Sequence, residues 1–429
     1  MLVLGIVLFF VLLMASIALH EFGHMVFAKW FGVRVPQFMV GFGPTIRSWR
    51  RGETEYGVKW IPLGGYVRMI GMLPPRAGDP EGHLRPSSTG RFSQLIDAAR
   101  AGALEEVGPG DEDRVYYRKA WWQKALISFA GPMMNFLLAF VFLAVALMGI
   151  GLQKPTSTIG TVAACVLPAT EYGRACTPAD PPTPAAAAGL RPGDVIVDFD
   201  GTPITDYTVF QRLIRDSAGR QVTLTVRRDG QALRLTPKII PNTLPDLKNP
   251  KTTVTGGFLG ITPATAHVRQ GPGAVIDQLG AMTTGTLQAF AHFPEKMRNI
   301  WAASFGGEKR DADSPMGVVG ASRIGGEVLS SRQDNLDKIF LFVLMLGSIN
   351  FAVGAFNLLP LLPLDGGNIV GAFWEGIKRG FARLTRRPMP GPVDVAKALP
   401  LTYVVGALIV VMGLLLAYAD LVNPVKLGG

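Results

Sequence analysis

The sequence predicts a polytopic α-helical membrane protein with an added β-rich domain, and three observations predict this fold class. Of the 429 residues, 48% are hydrophobic and only 17% are charged. Four apolar segments, at about 2–28, 125–150, 338–359 and 399–420, reach the roughly twenty residues that a helix needs to cross a bilayer. Between the second and third of them, short alternating runs separated by glycine-containing turns indicate strands.

The first apolar segment carries a metal-binding motif. His20, Glu21 and His24 form an H-E-x-x-H pattern, and the preceding stretch Leu2–Ile17 has no charged residue. Positions i and i+4 of a helix lie one turn apart on the same face, so both imidazoles can bind one zinc ion while Glu21 handles the protons of the bound water. Ionisable groups inside a membrane are costly and mark functional sites. The alternative is a pair of histidines satisfied in the core of a helix bundle.

A tetrahedral catalytic zinc needs a third protein ligand, and Asp365 is the main candidate. The remaining histidines lie outside the apolar segments, at His83, His267 and His292. Asp365 follows the apolar run Ile339–Leu364, in which Pro360 and Pro363 cannot occupy an ordinary helix interior. Irregular backbone at membrane depth is tolerated where it lines a cavity. A solvent-exposed turn at the end of a helix is the alternative interpretation of this Asp-Gly-Gly sequence.

Lysine and arginine near the ends of the segments predict the orientation. The first basic loop joins segments one and two and contains Lys29, Arg34, Arg47, Arg50, Arg51, Arg118, Lys119 and Lys124. The second joins segments three and four and contains Lys378, Arg379, Arg383, Arg386, Arg387 and Lys397. We therefore expect both loops to be cytoplasmic in a bacterial plasma membrane, and both termini and 151–337 to be extracytoplasmic. The first segment lacks the basic start and the cleavage pattern of a signal peptide, so we expect it to be retained.

The net charge of +10 does not indicate a nucleic-acid partner. The arginines are spread over juxtamembrane loops and the β-rich domain, without a basic helix or an aromatic-interleaved patch. Attraction to anionic lipid headgroups accounts for this distribution. The sequence therefore predicts contact with membrane lipid and no binding of nucleic acid.

Several motifs together resemble the site-2 protease family of intramembrane zinc metalloproteases, and within it the bacterial branch typified by the regulator of sigma-E protease. The resemblance starts from the H-E-x-x-H pattern and from Asn357-x-x-Pro360 followed by Leu364-Asp365-Gly366. It extends to four further motifs: Gly41-Phe42-Gly43-Pro44, Leu63-Gly64-Gly65-Tyr66-Val67, Ala130-Gly131-Pro132-x-x-Asn135 and Ser314-Pro315-x-Gly317. The first two of these four look like that branch's membrane-associated β-hairpin. The third resembles the start of its second span, and the fourth resembles the segment before its third span.

The resemblance implies a role for each matching residue. It implies that His20, His24 and Asp365 hold Zn2+ and that Glu21 is the general base. It implies further that the N-x-x-P motif holds the substrate backbone, as does the hairpin; the residues concerned are Asn357, Pro360, Gly41, Phe42 and Gly43. The implied substrates are single-span membrane proteins, such as anti-sigma factors already shortened by another protease, or signal-peptide remnants.

The remaining regions give a predicted domain order. Residues 1–150 hold the first two spans, the hairpin and a flexible insertion at 73–115, and 338–429 hold the last two spans with the metal-ligand loop. Residues 157–240 resemble a single PDZ domain, which either docks a trimmed substrate or serves as a rigid spacer. A connector at 241–337 contains an amphipathic helix near 284–305, which either shields the active site or packs against the PDZ domain. Cys165 and Cys176 are the only cysteines, and in an oxidising compartment they are expected to form a disulfide.

Two other classes of function compete with the protease. One is a non-enzymatic membrane scaffold that presents a PDZ domain, with an accidental or structural metal motif. The other is an intramembrane metal carrier. Glu21 counts against both, because metal storage does not require a base beside the ligands.

Overall fold

The structure is a computed structural model that describes residues 1–75, 91–167, 175–245, 252–306, 310 and 314–425. It divides into two compact units. A membrane unit is formed by Met1–Gly149 with Gly271–Gly429, and a β-rich unit is formed by Ile150–Gln270. His83 and part of the predicted insertion at 73–115 lie outside the described residues.

The first half of the membrane unit contains two spanning helices, a hairpin and a short helix. Its elements are α1 (Leu2–Trp30), β1 (Gln37–Arg51), β2 (Thr54–Arg68), α2 (Arg91–Glu105) and α3 (Trp121–Ala144), and α3 continues as π-helical turns to Ile150. The insertion at 73–115 was predicted to be flexible, but 91–105 of it is helical. Arg100 of this helix donates to the carboxylate of Asp394 at 2.5 Å, and this pair fixes α2 to a distant part of the chain.

The hairpin folds back on itself, so that two long strands make four short ones. Val40 pairs with both Val58 and Gly65, and Val58 also pairs with Arg47. The order across the sheet is therefore 45–51, 54–59, 37–42 and 61–68. Residues 61–68 form one edge of this sheet, since the described strands pair with them from one side alone.

The β-rich unit is an antiparallel sheet with two short helices. Its elements are β3 (Leu152–Val162), α4 (Pro184–Ala187), β4 (Val195–Phe199), β5 (Thr202–Pro203), α5 (Tyr207–Asp216), β6 (Leu224–Arg228), β7 (Gln231–Leu235), β8 (Ile240–Pro245), β9 (Thr253–Phe258) and β10 (Ile261–Val268). The main sheet has the order β10-β3-β4-β6-β7 with β5 beside β4, and β8 pairs with β9. Two Asp-Gly turns join its hairpins, and all four turn residues have positive φ, as two-residue hairpin turns of this type require.

The boundaries of this unit differ from the predicted domain at 157–240. β10 pairs with β3 along most of its length and β8 pairs with β9, so the described residues 241–245 and 252–270 belong to this unit, beyond the predicted end at 240. Because strands that are distant in sequence pair here, local pattern alone did not reveal the boundary. The structure joins Cys165 to Cys176 in a disulfide.

The second half of the membrane unit consists of helices. They are α6 (Pro272–Ala291), α7 (Phe293–Phe305), α8 (Val318–Ser330), α9 (Asn335–Asn357), α10 (Asp365–Leu384) and α11 (Leu399–Val422). The single amphipathic helix predicted near 284–305 is divided at His292 between α6 and α7, because Pro294 cannot continue the hydrogen bonding of α6. The sequence did not predict α10, which occupies the basic loop between the last two spans.

Four helices in the described residues are long and apolar enough to cross a membrane: Leu2–Trp30, Trp121–Ile150, Asn335–Asn357 and Val395–Val422. They confirm the four predicted spans to within a few residues at each end. α3 packs against both α1 and α9, and α8 packs against α1. Small residues allow this packing, as at Gly5, where an added Cβ would lie 2.8 Å from the Cα of Gly326.

A partly buried ion pair in the β-rich unit leads to a prediction about pH. Arg228 donates to both carboxylate oxygens of Asp194, at 2.7 and 2.8 Å, and these bonds lower the pKa of Asp194 below its ordinary value. Because the folded pKa is depressed, the pair stabilises fully above the ordinary carboxyl pKa, and its contribution is lost as the pH falls through the folded value. We expect Asp194→Asn to lower the free energy of unfolding at neutral pH by about 2 kcal/mol, a loss that shrinks in acid.

The measurement is thermal unfolding of the detergent-solubilised protein between pH 3 and pH 7. Asp229→Asn is a matched control in the adjacent turn, where asparagine accepts the positive φ of Asp229. An equal loss of stability at pH 3 and pH 7 for Asp194→Asn would show that the ion pair is not its cause.

Candidate metal centre

Two histidine side chains on α1 face the same point. The Nε2 atoms of His20 and His24 lie 3.3 Å apart, and both side chains are buried. The two residues are four positions apart on one helix, so their rings project from the same face on successive turns. The rings meet edge to face, with 4.9 Å between their centroids.

Asp365 meets both histidines from another helix. Its Oδ2 lies 3.2 Å from Nε2 of His20, and its Oδ1 lies 3.3 Å from Nε2 of His24. Ligands bound tetrahedrally to zinc at their usual distances have donor atoms about 3.3 Å apart. The three side chains thus fit zinc by donor type and by spacing. Among the described residues, they form the His/Cys/Asp/Glu group in which three ligand atoms could hold one metal ion.

A contact with α3 orients His24. Its Nδ1 lies 2.7 Å from the carbonyl oxygen of Ile127. A carbonyl oxygen only accepts, so Nδ1 carries the proton and the lone pair of Nε2 faces the other two donor atoms. Pro132 has no N–H and removes one backbone hydrogen bond from this part of α3.

Two glycines allow α1 and α3 to approach at the level of the histidines. A Cβ added to Gly131 would lie 2.7 Å from Nε2 of His20 and would also overlap the ring of His24. A Cβ added to Gly23 would lie 2.5 Å from the carbonyl oxygen of Ala130. The motif around Gly131 predicts the start of a span but does not reveal the contact of this glycine with the histidines. A glycine within an apolar helix was the available signal, because such residues mark close helix packing.

Two more glycines set the position of Asp365. Asp365 is the first residue of α10, and the loop 358–364 leads into it. A Cβ on Gly366 would overlap the carbonyl oxygens of Leu358 and Leu359, and one on Gly367 would lie 2.8 Å from the backbone of Leu361. The first turn of α10 therefore packs directly on the loop. Asp365 begins a helix, whereas the alternative interpretation placed it in a turn exposed to solvent.

Glu21 lies beside the three donor side chains on the wall of a cavity of about 560 Å³. His20, His24 and Asp365 line the same cavity. The half-buried Glu21 faces β2, where its carboxylate lies against the backbone of Val67 and its Cγ would be 3.1 Å from a Cβ added to Gly65. The cavity thus contains the carboxylate of Glu21, which is not bonded to either imidazole. It lies next to the three side chains that could hold a metal ion.

The residues expected to contact substrate have different positions. Asn357, at the end of α9, and Phe42 both line the cavity. Pro360 is exposed, and Pro360, Gly41 and Gly43 are not part of the lining. Local backbone structure explains why a glycine is needed at position 41. Its φ is +92°, and an added Cβ would lie 2.8 Å from the carbonyl oxygen of Ile61.

The wall formed by the hairpin is a strand edge; the motif at 63–67 predicted a hairpin here, but the expected substrate contact was at Gly41–Gly43. Gly64, Gly65, Tyr66 and Val67 line the cavity from the edge segment 61–68. Their pattern indicates a strand, but which edge remains unpaired depends on the folding back of the hairpin. That information is tertiary and is absent from the local pattern.

Comparison with known proteins agrees with this geometry. A family model for peptidase family M50 matches residues 8–389. The chain is 37% identical to the zinc metalloprotease Rip1 of Mycobacterium tuberculosis, over 100% of this chain and 99% of that protein. It is 34% identical to Rip1 of Mycolicibacterium smegmatis, over 99% and 98% of the two chains. It is 29% identical to the metalloprotease MmpA of Caulobacter vibrioides, over 85% and 84%.

The chain therefore belongs to peptidase family M50, the site-2 protease family that its motifs resemble. It is an intramembrane metalloprotease, and the competing scaffold and carrier interpretations are not supported.

The contact between Gly131 and the histidines gives a test of the packing. We expect Gly131→Ala to displace both imidazole rings and to lower the zinc bound per purified protein at least about tenfold, because misplaced ligands bind metal weakly. The measurement is zinc content by mass spectrometry of the metal. Gly149→Ala is the matched control in the same helix, since a Cβ there meets nothing within 4 Å. Full zinc content in Gly131→Ala would contradict the packing.

Proposed function

We propose that this protein hydrolyses a peptide bond within a single-span membrane protein, using zinc held by His20, His24 and Asp365 and a proton carried by Glu21. Zinc is its cofactor. One observation carries the proposal: three donor side chains from two helices approach one another pairwise to 3.2–3.3 Å, on a cavity that also contains a carboxylate. A structural zinc site is closed by four protein ligands, whereas a catalytic site has three and leaves one position open.

Each residue has a task in the proposed mechanism. Bound zinc supplies a Lewis acid that polarises the scissile carbonyl and makes water acidic. Glu21 takes a proton from the attacking water and passes it to the leaving amine. Ile127 orients His24, and the contact of Glu21 with the backbone of Val67 keeps the carboxylate directed into the cavity.

The substrate backbone needs hydrogen-bond partners when it unwinds. The carbonyl groups of a membrane helix are bonded within the helix, so the helix must open before a peptide bond can be attacked. The unpaired edge 61–68 supports pairing with an extended substrate strand, because residues 64–67 of this edge line the cavity. The amide of Asn357, on the same cavity, would hold the strand from the other side.

We extend the proposal to orientation. The basic residues near the ends of the spans support cytoplasmic placement of the hairpin and α10 in the plasma membrane of a bacterium. The disulfide between Cys165 and Cys176 supports placement of the β-rich unit outside, where thiols are oxidised. Both chain ends are then extracytoplasmic as well.

The same arrangement limits the kind of substrate. With the β-rich unit outside, a PDZ-like docking function for it fits a substrate whose extracytoplasmic part has already been trimmed. An anti-sigma factor shortened by another protease, or a signal-peptide remnant, has this form.

Substitution of Glu21 tests its role as base. We expect Glu21→Gln to bind zinc as the wild type does but to lower the cleavage rate of a tethered single-span reporter by about 10²-fold or more, because glutamine accepts no proton. Glu327→Gln, at a helix-surface ion pair with Arg323, is the matched control. Cleavage by Glu21→Gln at the wild-type rate would exclude Glu21 as the base. Loss of bound zinc from this variant would indicate instead that Glu21 is a metal ligand.

A further inference from the structure

A second cavity, of about 910 Å³, lies at the membrane face where α3 and α11 begin. Five basic side chains and one carboxylate are part of its lining: Arg100, Arg118, Lys378, Arg379, Lys397 and Asp394. Four chain segments supply these cations, so the cavity depends on the tertiary fold and not on one basic run. We name it the basic cavity.

Only part of this positive charge is neutralised within the protein. Arg100 pairs with Asp394 at 2.5 Å, Arg379 with Glu375 at 2.8 Å, and Arg118 with the largely exposed Asp113. Lys378 and Lys397 have no carboxylate partner among the residues that the structure describes. Two cations on the lining thus remain to attract an anion.

A buried donor adds an observation that is independent of charge. Arg100 is 2% exposed, yet its Nε–H has no acceptor within the described part of the chain. Buried donors are almost always hydrogen-bonded, and leaving one without an acceptor costs more than an average hydrogen bond contributes. Arg100, which lines the cavity, therefore retains a donor that its pair with Asp394 does not use, and one carboxylate oxygen of Asp394 likewise has no partner among the described residues.

An apolar stripe on α10 adjoins the basic cavity. Five of its side chains are between 51 and 83% exposed: Phe373, Trp374, Ile377, Phe381 and Leu384. Phe373 and Trp374 each lie three or four residues before Ile377, and Phe381 and Leu384 continue the same spacing, which places all five on one face of the helix. Trp374 belongs both to the stripe and to the cavity lining, and tryptophan is enriched where a membrane meets water. A ligand that contacts both the basic cavity and the apolar stripe therefore needs an anionic end and an apolar end.

We propose that the basic cavity binds the phosphodiester headgroup of an anionic phospholipid, with the acyl chains along the stripe on α10. Charge complementarity accounts for the headgroup, and the stripe selects a lipid over a soluble phosphate. Basic pockets between helix ends at a membrane surface recognise anionic lipids in this way.

The proposed lipid would lie on the helix that carries a metal ligand. α10 begins at Asp365, and ten residues later the buried Glu375 accepts from Lys124 of α3 at 2.8 Å. Glu375 also pairs with Arg379, which lines the basic cavity. A lipid bound there holds α10 against α3, one turn of α3 away from the carbonyl of Ile127 that orients His24.

The test is titration of the delipidated full-length protein in detergent with phosphatidylglycerol, observed by native mass spectrometry. We expect Lys378→Gln with Lys397→Gln to weaken phosphatidylglycerol binding about twenty-fold, because each basic side chain near a membrane surface contributes several-fold to the affinity for anionic lipid. Phosphatidylcholine with the same acyl chains should bind at least tenfold more weakly to the wild type. These substitutions do not touch the Glu375–Lys124 pair.

The matched control removes the same number of positive charges, two, at the opposite membrane face. Arg332→Gln with Lys338→Gln, around the start of α9, should leave phosphatidylglycerol binding unchanged. Equal retention of phosphatidylglycerol by the cavity variant and the wild type would overturn the proposal. Equal binding of the two lipids would do the same, as would displacement of phosphatidylglycerol by inorganic phosphate at equimolar concentration.

Discussion

The contact of one carboxylate with two imidazoles, made between the spanning helix α1 and the start of α10, is the constraint on which the membrane unit depends. Asp365 approaches His20 and His24 to 3.2 and 3.3 Å, although these residues lie at opposite ends of the sequence. Polar side chains at membrane depth are expensive unless they bind one another or a metal. The helices that carry them must therefore pack in one relative position, and much of the sequence around them is explained by that requirement.

The glycines and the broken helices are the means by which this position is reached. Gly131 allows the histidine rings to lie against α3, and Gly366 allows the first turn of α10 to pack on the preceding loop. The carbonyl of Ile127 then fixes one ring through its second nitrogen. Ligand geometry is thus controlled by backbone contacts between helices, and side chains at the site need little freedom of their own.

Local pattern in the sequence was sufficient to predict the parts of the protein that depend on local chemistry. Hydropathy located the four spans, and the H-E-x-x-H spacing predicted that two candidate metal ligands lie on one helical face. Alternating runs separated by glycine-containing turns indicated strands of the β-rich unit. Asp365 could be suggested because an acid next to prolines and glycines is unusual at the end of an apolar run.

Features set by long-range packing could not be predicted in the same way. α10 is amphipathic, but its position in a basic loop concealed it, and its burial of Glu375 against Lys124 depends on α3. The free edge 61–68 results from the folding back of the hairpin, and the pairing of β10 with β3 moves the domain boundary beyond 240. In each case the deciding contact joins segments that are distant in sequence.

X-ray absorption at the zinc edge tests the central claim most directly, because it reports the ligand set of the purified protein without reference to activity. The account predicts two imidazole nitrogens and carboxylate oxygen at about 2.0–2.2 Å, with no sulfur. In Asp365→Ala the carboxylate contribution should be lost together with most of the zinc. An unchanged spectrum and zinc content in Asp365→Ala, or a third imidazole in the wild type, would contradict a metal centre shared between α1 and α10.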